Sequence, residues 1–432
     1  MDVIYVIFVF IRLTCGTSPT YRIVSATSWI TDPISLYPDF SASLTPLTFQ
    51  PSIFQYSFHD ASTVFTCVAR NCSRVTMTPM PGLSVAQLAY GGVSPRRIHQ
   101  QSPAIAGARF FLSIGYAKPN RDVEFIVCAA EDPTCAKPRV MNTVDSRGFG
   151  QGGLRLTFAT AHGLPSMLIP EARYASRDNR VTGYHIETCQ DPLCALPRSA
   201  ASLPFNLTGT ANCLGTSIDV AINRHGFPSW LTLCDEELNL IHCLTLQCNE
   251  TLVNQFKVNR DFVYFVYLAV DSHFRFTIVT TGQTAQSDIT YIRCVDPDCT
   301  ESIQSQLTIS NRPSPTRTPI GRVQVVINPL TDLPIFHLTG SIYPTDVPVY
   351  MFVICPDIEC NMSEAVYVDY GVKFGLNRVQ VNDLFVDDEG TVIASVRTTY
   401  KATNDTINVI VRMALSSEAE VEKLTFVEPV VI

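Results

Sequence analysis

The sequence has little charge and few tryptophans, and these shortages exclude several classes of protein. Only 16% of its 432 residues are charged, the formal net charge is -8, and two residues are Trp. Because 46% of residues are hydrophobic, the chain has enough apolar material for a core and does not have a disordered composition. A nucleic-acid binder normally carries a basic stripe, and the absence of one excludes a nucleic-acid partner from our expectations.

Long apolar runs are also missing. The run from Ile4 to Ile11 is too short for a transmembrane helix, which needs about 20 residues. Its length is typical of the apolar centre of a secretory signal peptide. We therefore expect a signal peptide over residues 1–18 and a secreted, extracellular protein without a transmembrane segment. A first strand of the fold is the alternative, because Asp2 and Arg12 depart from the usual signal pattern.

Familiar catalytic motifs are a third absence. The sequence contains no P-loop, no H-E-x-x-H, no G-x-S-x-G and no EF-hand loop. The glycine-rich segment GFGQGG at 148–153 precedes a strand pattern instead of a helix, so it lacks the context for binding phosphate. We expect no cofactor and no metal, and the sequence favours a non-enzyme without deciding the question.

Cysteine is abundant, and its spacing organises the chain. Most of the 15 cysteines form close pairs, each following a short strand-like run. The pairs are Cys67 and Cys72, Cys128 and Cys135, Cys189 and Cys194, Cys243 and Cys248, Cys294 and Cys299, and Cys355 and Cys360. The first cysteines recur about every 58 residues, which indicates a repeat array of about seven units. One period after Cys355 stands Met413, so the seventh unit is predicted to have lost its pair.

Each unit contains four short runs rich in β-branched and aromatic residues, separated by Gly, Pro, Asp or Asn. Four-stranded units repeated around an axis form a propeller. We predict an all-β fold, a single seven-bladed β-propeller of four-stranded antiparallel blades over residues 19–432. Strand boundaries in the first unit are not clear, so six blades with an N-terminal extension is the alternative. The segment 422–432 is expected to close the ring against residues 21–28.

The paired cysteines favour disulfides over zinc. Asp-Pro turns, as in CQDPLC and CVDPDC, are expected to join the third and fourth strands and to place the two cysteines opposite each other. A zinc site would need two more ligands for each pair, and the chain has only eight histidines. If Cys15 leaves with the signal peptide, Cys213 and Cys234 remain and are predicted to pair. Pairing of Cys234 with Cys243 is a rival assignment.

The repeating unit, with its x-G-x-P turn and C-x-D-P-x-C hairpin, resembles a cysteine-paired propeller repeat of uncharacterised secreted proteins of bacteria and protists. The resemblance extends from about Thr63 to the C-terminus. It implies a propeller fold, and because that repeat carries no established activity, no functional residue is carried over.

Two sets of residues are candidates for modification or ligand binding. N-x-S/T sequons, predicted to be glycosylated in a eukaryotic secretory route, occur at Asn71, Asn206, Asn249, Asn361 and Asn404. Three histidines occupy similar turns between the first and second strands of successive units, and those turns should share one face near the axis: His162, His225 and His273. A long connection at 93–107, which contains Arg96, Arg97 and His99, is expected to reach over one face.

The alternative interpretation of these turn histidines is that they are solvated turn residues without a function. Residues that end the first strands of units four to seven are predicted to cap turns, and they are Asn223, Asp271, Asn328 and Asp387.

The favoured function is a monomeric binding or structural module for a protein or glycan partner. The alternative is an extracellular glycan-active hydrolase or lyase with a site at the propeller axis, which two carboxylates about 5–10 Å apart would support.

Overall fold

The structure is a computed structural model. It describes the strands between Tyr21 and Val431 and, with a few single residues, the turns at 129–138, 189–196, 223–227, 244–250, 271–275, 295–301, 328–333, 355–360 and 387–390, apart from residues 133, 192–193 and 246. Side chains are described for most of the strands and turns after residue 220 and for parts of the earlier strands. The predicted signal peptide lies outside the described residues. Among the described residues, no helix is long and apolar enough to cross a membrane.

Almost all described residues lie in strands. The strands are β1 (Tyr21–Ile30), β2 (Phe40–Leu44), β3 (Pro51–Gln55), β4 (Ser62–Cys67), β5 (Val75–Met80), β6 (Arg96–Gln101), β7 (Arg109–Gly115), β8 (Val123–Cys128), β9 (Arg139–Asn142), β10 (Ala159–Ala161), β11 (Leu164–Ala172), β12 (Val181–Thr188), β13 (Ser199–Pro204), β14 (Cys213–Leu214), β15 (Val220–Ile222), β16 (Pro228–Cys234), β17 (Glu237–Cys243), β18 (Thr251–Lys257), β19 (Phe265–Val270), β20 (Phe276–Thr281), β21 (Thr290–Cys294), β22 (Ser302–Gln306), β23 (Thr316–Arg317), β24 (Gln324–Ile327), β25 (Pro334–Ile342), β26 (Val347–Ile354), β27 (Glu364–Val368), β28 (Leu376–Val386), β29 (Thr391–Tyr400), β30 (Thr406–Ser417), β31 (Thr425–Phe426) and β32 (Val430–Val431). A single turn of 3-10 helix spans Pro81–Leu83.

These strands form seven sheets, and the prediction of an all-β propeller of four-stranded antiparallel blades is confirmed. In chain order the blades are β2–β5, β6–β9, β10–β13, β14–β18, β19–β22, β23–β27 and β28–β30 with β1. In blades four and six the first strand is split into two short segments that both pair with the second strand. The seven sheets fit the predicted number of blades, and the first unit, whose boundaries the sequence left unclear, forms a complete sheet.

The first strands of neighbouring blades contact each other around the axis. Such contacts join β2 to β6, β10 to β15, β15 to β19, β19 to β24, β24 to β28 and β28 to β2. Large apolar side chains fill the space between one blade and the next. Leu231 and Leu240 of blade four, for example, share a buried cluster with Phe276 and Ile292 of blade five. Because a middle blade packs on both faces, all seven residues of β16 are buried.

The seventh blade closes the ring with both ends of the chain. Its fourth strand is β1, which pairs antiparallel with β30 from Tyr21 to Ile30, while β31 and β32 pair with β1 in parallel. This pairing explains the missing cysteines of the seventh unit. No hairpin joins the third strand to the fourth, because the fourth strand comes from the N-terminus. Met413 therefore lies inside β30, fully buried.

Deletion of β1 tests this closure. A chain starting at residue 31 should lose about 5 kcal/mol or more of unfolding free energy relative to one starting at residue 19, because nine backbone pairs with β30 are lost. Urea denaturation followed by circular dichroism would measure the difference. A synthetic peptide of residues 19–32 should restore stability, whereas a scrambled peptide should not. Equal stability of the two chains would show that β1 does not close the ring.

Two histidines are buried among these strands and are held neutral. Asn223 Nδ2 donates to Ser229 Oγ, so the Ser229 hydroxyl is free to donate to Nδ1 of His242 at 2.8 Å. Desolvation lowers the pKa of His242 to about 4. Burial in blade six lowers the pKa of His337 to about 3. Both residues must therefore remain uncharged in the folded protein at neutral pH.

These shifts predict a specific window of acid sensitivity. Because both folded-state pKa values lie below the ordinary value of 6.5, the unfolded chain binds more protons below pH 6.5, and stability falls as pH falls towards 4. Between pH 6.5 and 4.5 each histidine should cost about 2 kcal/mol of unfolding free energy. Urea denaturation at both pH values would measure it.

The variants His242→Gln and His337→Gln should each flatten this dependence. Carboxylates with lowered pKa values, such as Asp296, contribute only at lower pH, because their ordinary pKa is 3.8. An unchanged slope in both variants would assign the acid sensitivity to other groups.

Candidate functional site at the inner turns

The cysteine hairpins have one repeated backbone geometry. In the five hairpins that the structure describes, the amide of the second cysteine donates to the carbonyl oxygen of the residue three positions earlier, and that residue is Asp132, Asp191, Thr245, Asp296 or Asp357. Each second cysteine then adopts a positive φ, between 51° and 56°. A type I turn followed by a left-handed residue is a common way to connect two antiparallel strands. The predicted Asp-Pro turns therefore have the expected position.

In two of these hairpins an aspartate organises the turn with its side chain. Asp132 accepts hydrogen bonds from the amides of Ala136 and Lys137, and these bonds lower its pKa. Asp296 accepts from the amides of Asp298, Thr300 and Glu301, as an Asx turn requires. Asp132 and Asp296 thus serve their own turns.

Five of the predicted cysteine pairs are joined in the structure, with Cα atoms 4.6 to 5.0 Å apart. They are Cys128–Cys135, Cys189–Cys194, Cys243–Cys248, Cys294–Cys299 and Cys355–Cys360. Because Cys243 is bonded to Cys248, the rival bond between Cys234 and Cys243 is excluded in the structure. Cys234 is also disulfide-bonded, and Cys213 stands directly opposite it in the sheet register. The side chain of Cys67 and all of Cys72 lie outside the described residues.

Peptide mapping under non-reducing conditions tests this assignment. Protein secreted from eukaryotic cells should yield peptides that link Cys213 to Cys234 and Cys189 to Cys194. The link of 21 residues should stabilise the fold by about 3 kcal/mol and each short hairpin link by about 2 kcal/mol, because longer loops lose more entropy when closed. Free thiols at these positions in the secreted protein would contradict both the pairing and the oxidising compartment.

A second set of turns follows the first strands, and we call them the inner turns (residues 223–227, 271–275, 328–333 and 387–390). The residues that end the first strands accept hydrogen bonds from amides further along each turn, and they are Asn223, Asp271, Asn328 and Asp387. Their predicted role as turn caps is confirmed. Since these turns follow the innermost strands, they lie at one mouth of the ring.

One position of the inner turns is left-handed in every described copy. Gly226 in blade four and Gly390 in blade seven have φ values of 78° and 77°. Blade five places Phe274 at this position, with φ 61°, and blade six places Asp332, with φ 55°. A bulky residue in this region is strained, and glycine is not. Phe274 is nevertheless 40% exposed.

Polar side chains around Phe274 join the turns of blades five and six. Asp332 Oδ1 accepts hydrogen bonds from the Ser272 amide (3.3 Å) and the Ser272 hydroxyl (2.8 Å). His273 Nδ1 lies 2.9 Å from Asp332 Oδ2. Burial raises the pKa of Asp332, but the bonds from Ser272 and the charge of His273 outweigh it, and the net pKa is lowered. Asp332 is therefore an anionic acceptor at neutral pH.

Two arginines lie beneath this group. Asp271 Oδ2 accepts hydrogen bonds from Arg275 Nε at 2.7 Å and from Arg293. Candidate metal-ligand atoms of Asp271, His273 and Asp332 lie within 4.8 Å of one another. A metal ion at Asp271 would have to displace two guanidinium groups, and its other oxygen already accepts two backbone amides. The geometry is that of an ion-pair network and does not suit a cation.

The structure brings together only part of the predicted ligand face. His225 and His273 lie on the inner turns of neighbouring blades, His225 partly buried and His273 exposed. His162 lies outside the described residues. The prediction of a long connection at 93–107 is wrong for Arg96, Arg97 and His99, because these residues lie in β6, the first strand of blade two. Arginine next to β-branched Ile98 is compatible with a strand, and the pairing shifts register between Ile98 and Gln100.

Of the five predicted sequons, the structure describes one. Asn249 is exposed immediately after Cys248, and its glycosylation remains a prediction. The other four, Asn71, Asn206, Asn361 and Asn404, lie outside the described residues.

Three residues of this site were missed by sequence reasoning: Phe274, Arg293 and Asp332. The signal for Phe274 was present, because aligning HGFP at 225–228 with HFRF at 273–276 places Phe274 where Gly226 stands. Arg293 and Arg412 share a second signal, since each occupies the place before the first cysteine position of its unit. Asp332 could not be aligned without the structure, because its turn is one residue longer.

Comparison with known proteins gives only distant similarity. No protein-family model matches this sequence, and no curated protein matches it either. The solved structures that resemble it include a GH93 α-L-arabinofuranosidase of Fusarium graminearum with arabinobiose (10% identity, 75% of this chain and 93% of that chain, TM-score 0.43). They also include an α-L-arabinanase of Penicillium chrysogenum with arabinobiose (10% identity, 93% and 100%, TM-score 0.40).

A third similar structure is the NanB sialidase of Streptococcus pneumoniae (10% identity, 90% of this chain and 69% of that chain, TM-score 0.40). At these identities and TM-scores, the similarity says nothing about the activity of this chain.

Proposed function

We propose that this protein is a secreted, monomeric β-propeller that binds a glycan at the inner turns of blades five and six. The observation that carries the proposal is Phe274, an exposed aromatic residue in a left-handed conformation where two other blades use glycine. A non-glycine residue in this conformation costs roughly 1 kcal/mol or more. Strain of this kind without full burial is typical of a residue retained for binding.

The surroundings of Phe274 suit a sugar ring. An exposed aromatic face offers apolar area to the C–H face of a saccharide, while carboxylate, imidazole and guanidinium groups beside it can bind hydroxyls. Asp332, His273 and Arg275 supply these groups, with the Arg275 Nη2 atom 3.9 Å from Asp332 Oδ2. Protein interfaces have a larger apolar core. Among the described inner turns, Phe274 and Leu330 are the exposed large apolar residues, which favours a small ligand.

Glycan hydrolysis is the second candidate. Asp271 and Asp332 approach within 4.8 Å, close to the separation of a retaining pair of carboxylates. A glycosidase also needs a carboxylic acid whose pKa is raised. Asp271 is bonded to two arginines, and the pKa of Asp332 is lowered, so this pair lacks the acid. A hydrolase site would have to use carboxylates other than this pair.

Substitution of Phe274 tests the binding proposal. In the variant Phe274→Gly, relief of the left-handed strain should offset the lost burial of the ring, so unfolding free energy should change by no more than about 1 kcal/mol. Affinity for saccharides identified on a glycan array should fall at least tenfold. Isothermal titration calorimetry and urea denaturation would measure the two effects.

The matched control is Leu196→Ala, which removes another exposed apolar side chain from a turn of blade three. It should bind saccharide as the unchanged protein does. Retained affinity in Phe274→Gly would overturn the site, and release of reducing sugar from array hits would establish the hydrolase instead.

A further inference from the structure

We propose that Arg293 is a positioning residue that holds the two halves of the saccharide site in register. The inference rests on the proposed function, because it concerns the same inner turns. Arg293 lies in β21, immediately before Cys294, and its side chain is 1% exposed. Its guanidinium reaches from the third strand of blade five to the turn after the first strand.

Arg293 contacts both turns of the site. It donates to Asp271 Oδ2 and to Thr277 Oγ1 within blade five. Its Nη2 atom also donates to the backbone carbonyl of Asp332 in blade six at 3.2 Å. A planar guanidinium with several donors can satisfy such partners at once, whereas an ammonium group cannot hold the same fixed geometry. One buried side chain therefore fixes the two turns relative to each other.

The two contacts define where the binding groups stand. Asp271, fixed by Arg293, accepts the amide of His273 at 2.9 Å and the amide of Arg275 at 2.8 Å, and these bonds shape the turn that carries Phe274. On the other side, the bonded Asp332 carbonyl belongs to the residue whose carboxylate contacts Ser272 and His273. Loss of Arg293 should release both sides of the site together.

The equivalent positions of blades seven and four show how this residue pairs within its own blade. In blade seven, Arg412 Nη2 donates to Asp387 Oδ2 at 2.9 Å, the same pair within one blade. In blade four the pair is neutral, with Asn223 at the turn and His242 on the third strand, linked through Ser229. The neutral pair keeps the same turn geometry, so the charged pair is not required for folding. Among the contacts of the described residues, Arg293 is distinguished by also reaching the next blade.

The neutral pair of blade four provides the test. The double variant Asp271→Asn with Arg293→His copies it into blade five, where Thr277 supplies the hydroxyl in place of Ser229. The matched control, Asp387→Asn with Arg412→His and Ile393→Thr, makes the same exchange in blade seven, because Ile393 stands where blade five has Thr277. Both proteins should fold. The blade-five variant should bind an array-selected saccharide at least tenfold more weakly, and the control should bind it with unchanged affinity.

Amide hydrogen exchange gives a readout that does not depend on the ligand. Exchange over 271–275 and 328–333 should accelerate at least tenfold in the blade-five variant, and over 387–390 alone in the control. Normal affinity and normal exchange in the blade-five variant would overturn the role of Arg293, even if Phe274→Gly abolishes binding. If exchange accelerates in the blade-five variant but the unchanged protein binds no saccharide, the proposed function is rejected. The role of Arg293 in fixing the turns is then retained.

Discussion

Packing between neighbouring blades is the interaction on which the rest of this structure depends. A four-stranded sheet with two apolar faces is stable only when both faces are covered, and in a propeller each blade is covered by the next. Blades six and seven show this contact, where Phe352 and Val366 share a buried cluster with Val392 and Val411. The last blade must therefore be completed, and the chain achieves this with a strand from its own N-terminus.

This closure also explains how the disulfides are distributed. A hairpin disulfide fixes the outer strand of a blade, which has a neighbour on one side only. In β22 residues alternate between exposed and half-buried, as expected at such an edge. The seventh blade has no hairpin between its third and fourth strands, and its outer strand β1 is held between β30 and the C-terminal strands. Methionine can then replace cysteine in the core of β30, because only the apolar volume is needed there.

Most of the scaffold could be predicted from the sequence, because the residues that mark its turns and strand ends are local signals. Cysteine spacing, Asp-Pro turns and short β-branched runs each report on a few neighbouring residues, and they placed blades two to six. The assignment of 93–107 to a connection failed because Arg96 and Arg97 are polar residues in a first strand, where apolar residues were expected. The site was harder to predict, since Arg293 and Asp332 meet across two blades and 39 residues of sequence. Such a contact leaves no trace in a single repeat.

Comparison between repeats recovers part of that information. At the ends of the first strands, Asp271 and Asp387 face an arginine on the third strand, while Asn223 faces a neutral histidine. A buried aspartate without a cation would be strongly destabilising, and a buried arginine without an anion equally so, so the two positions can change only together. No such charge pairing determines the residue at position 274. Its left-handed backbone would be less strained with glycine, as in Gly226 and Gly390, and the residue is 40% exposed. Because the fold gains little from phenylalanine over glycine there, we propose binding as the reason for the phenylalanine.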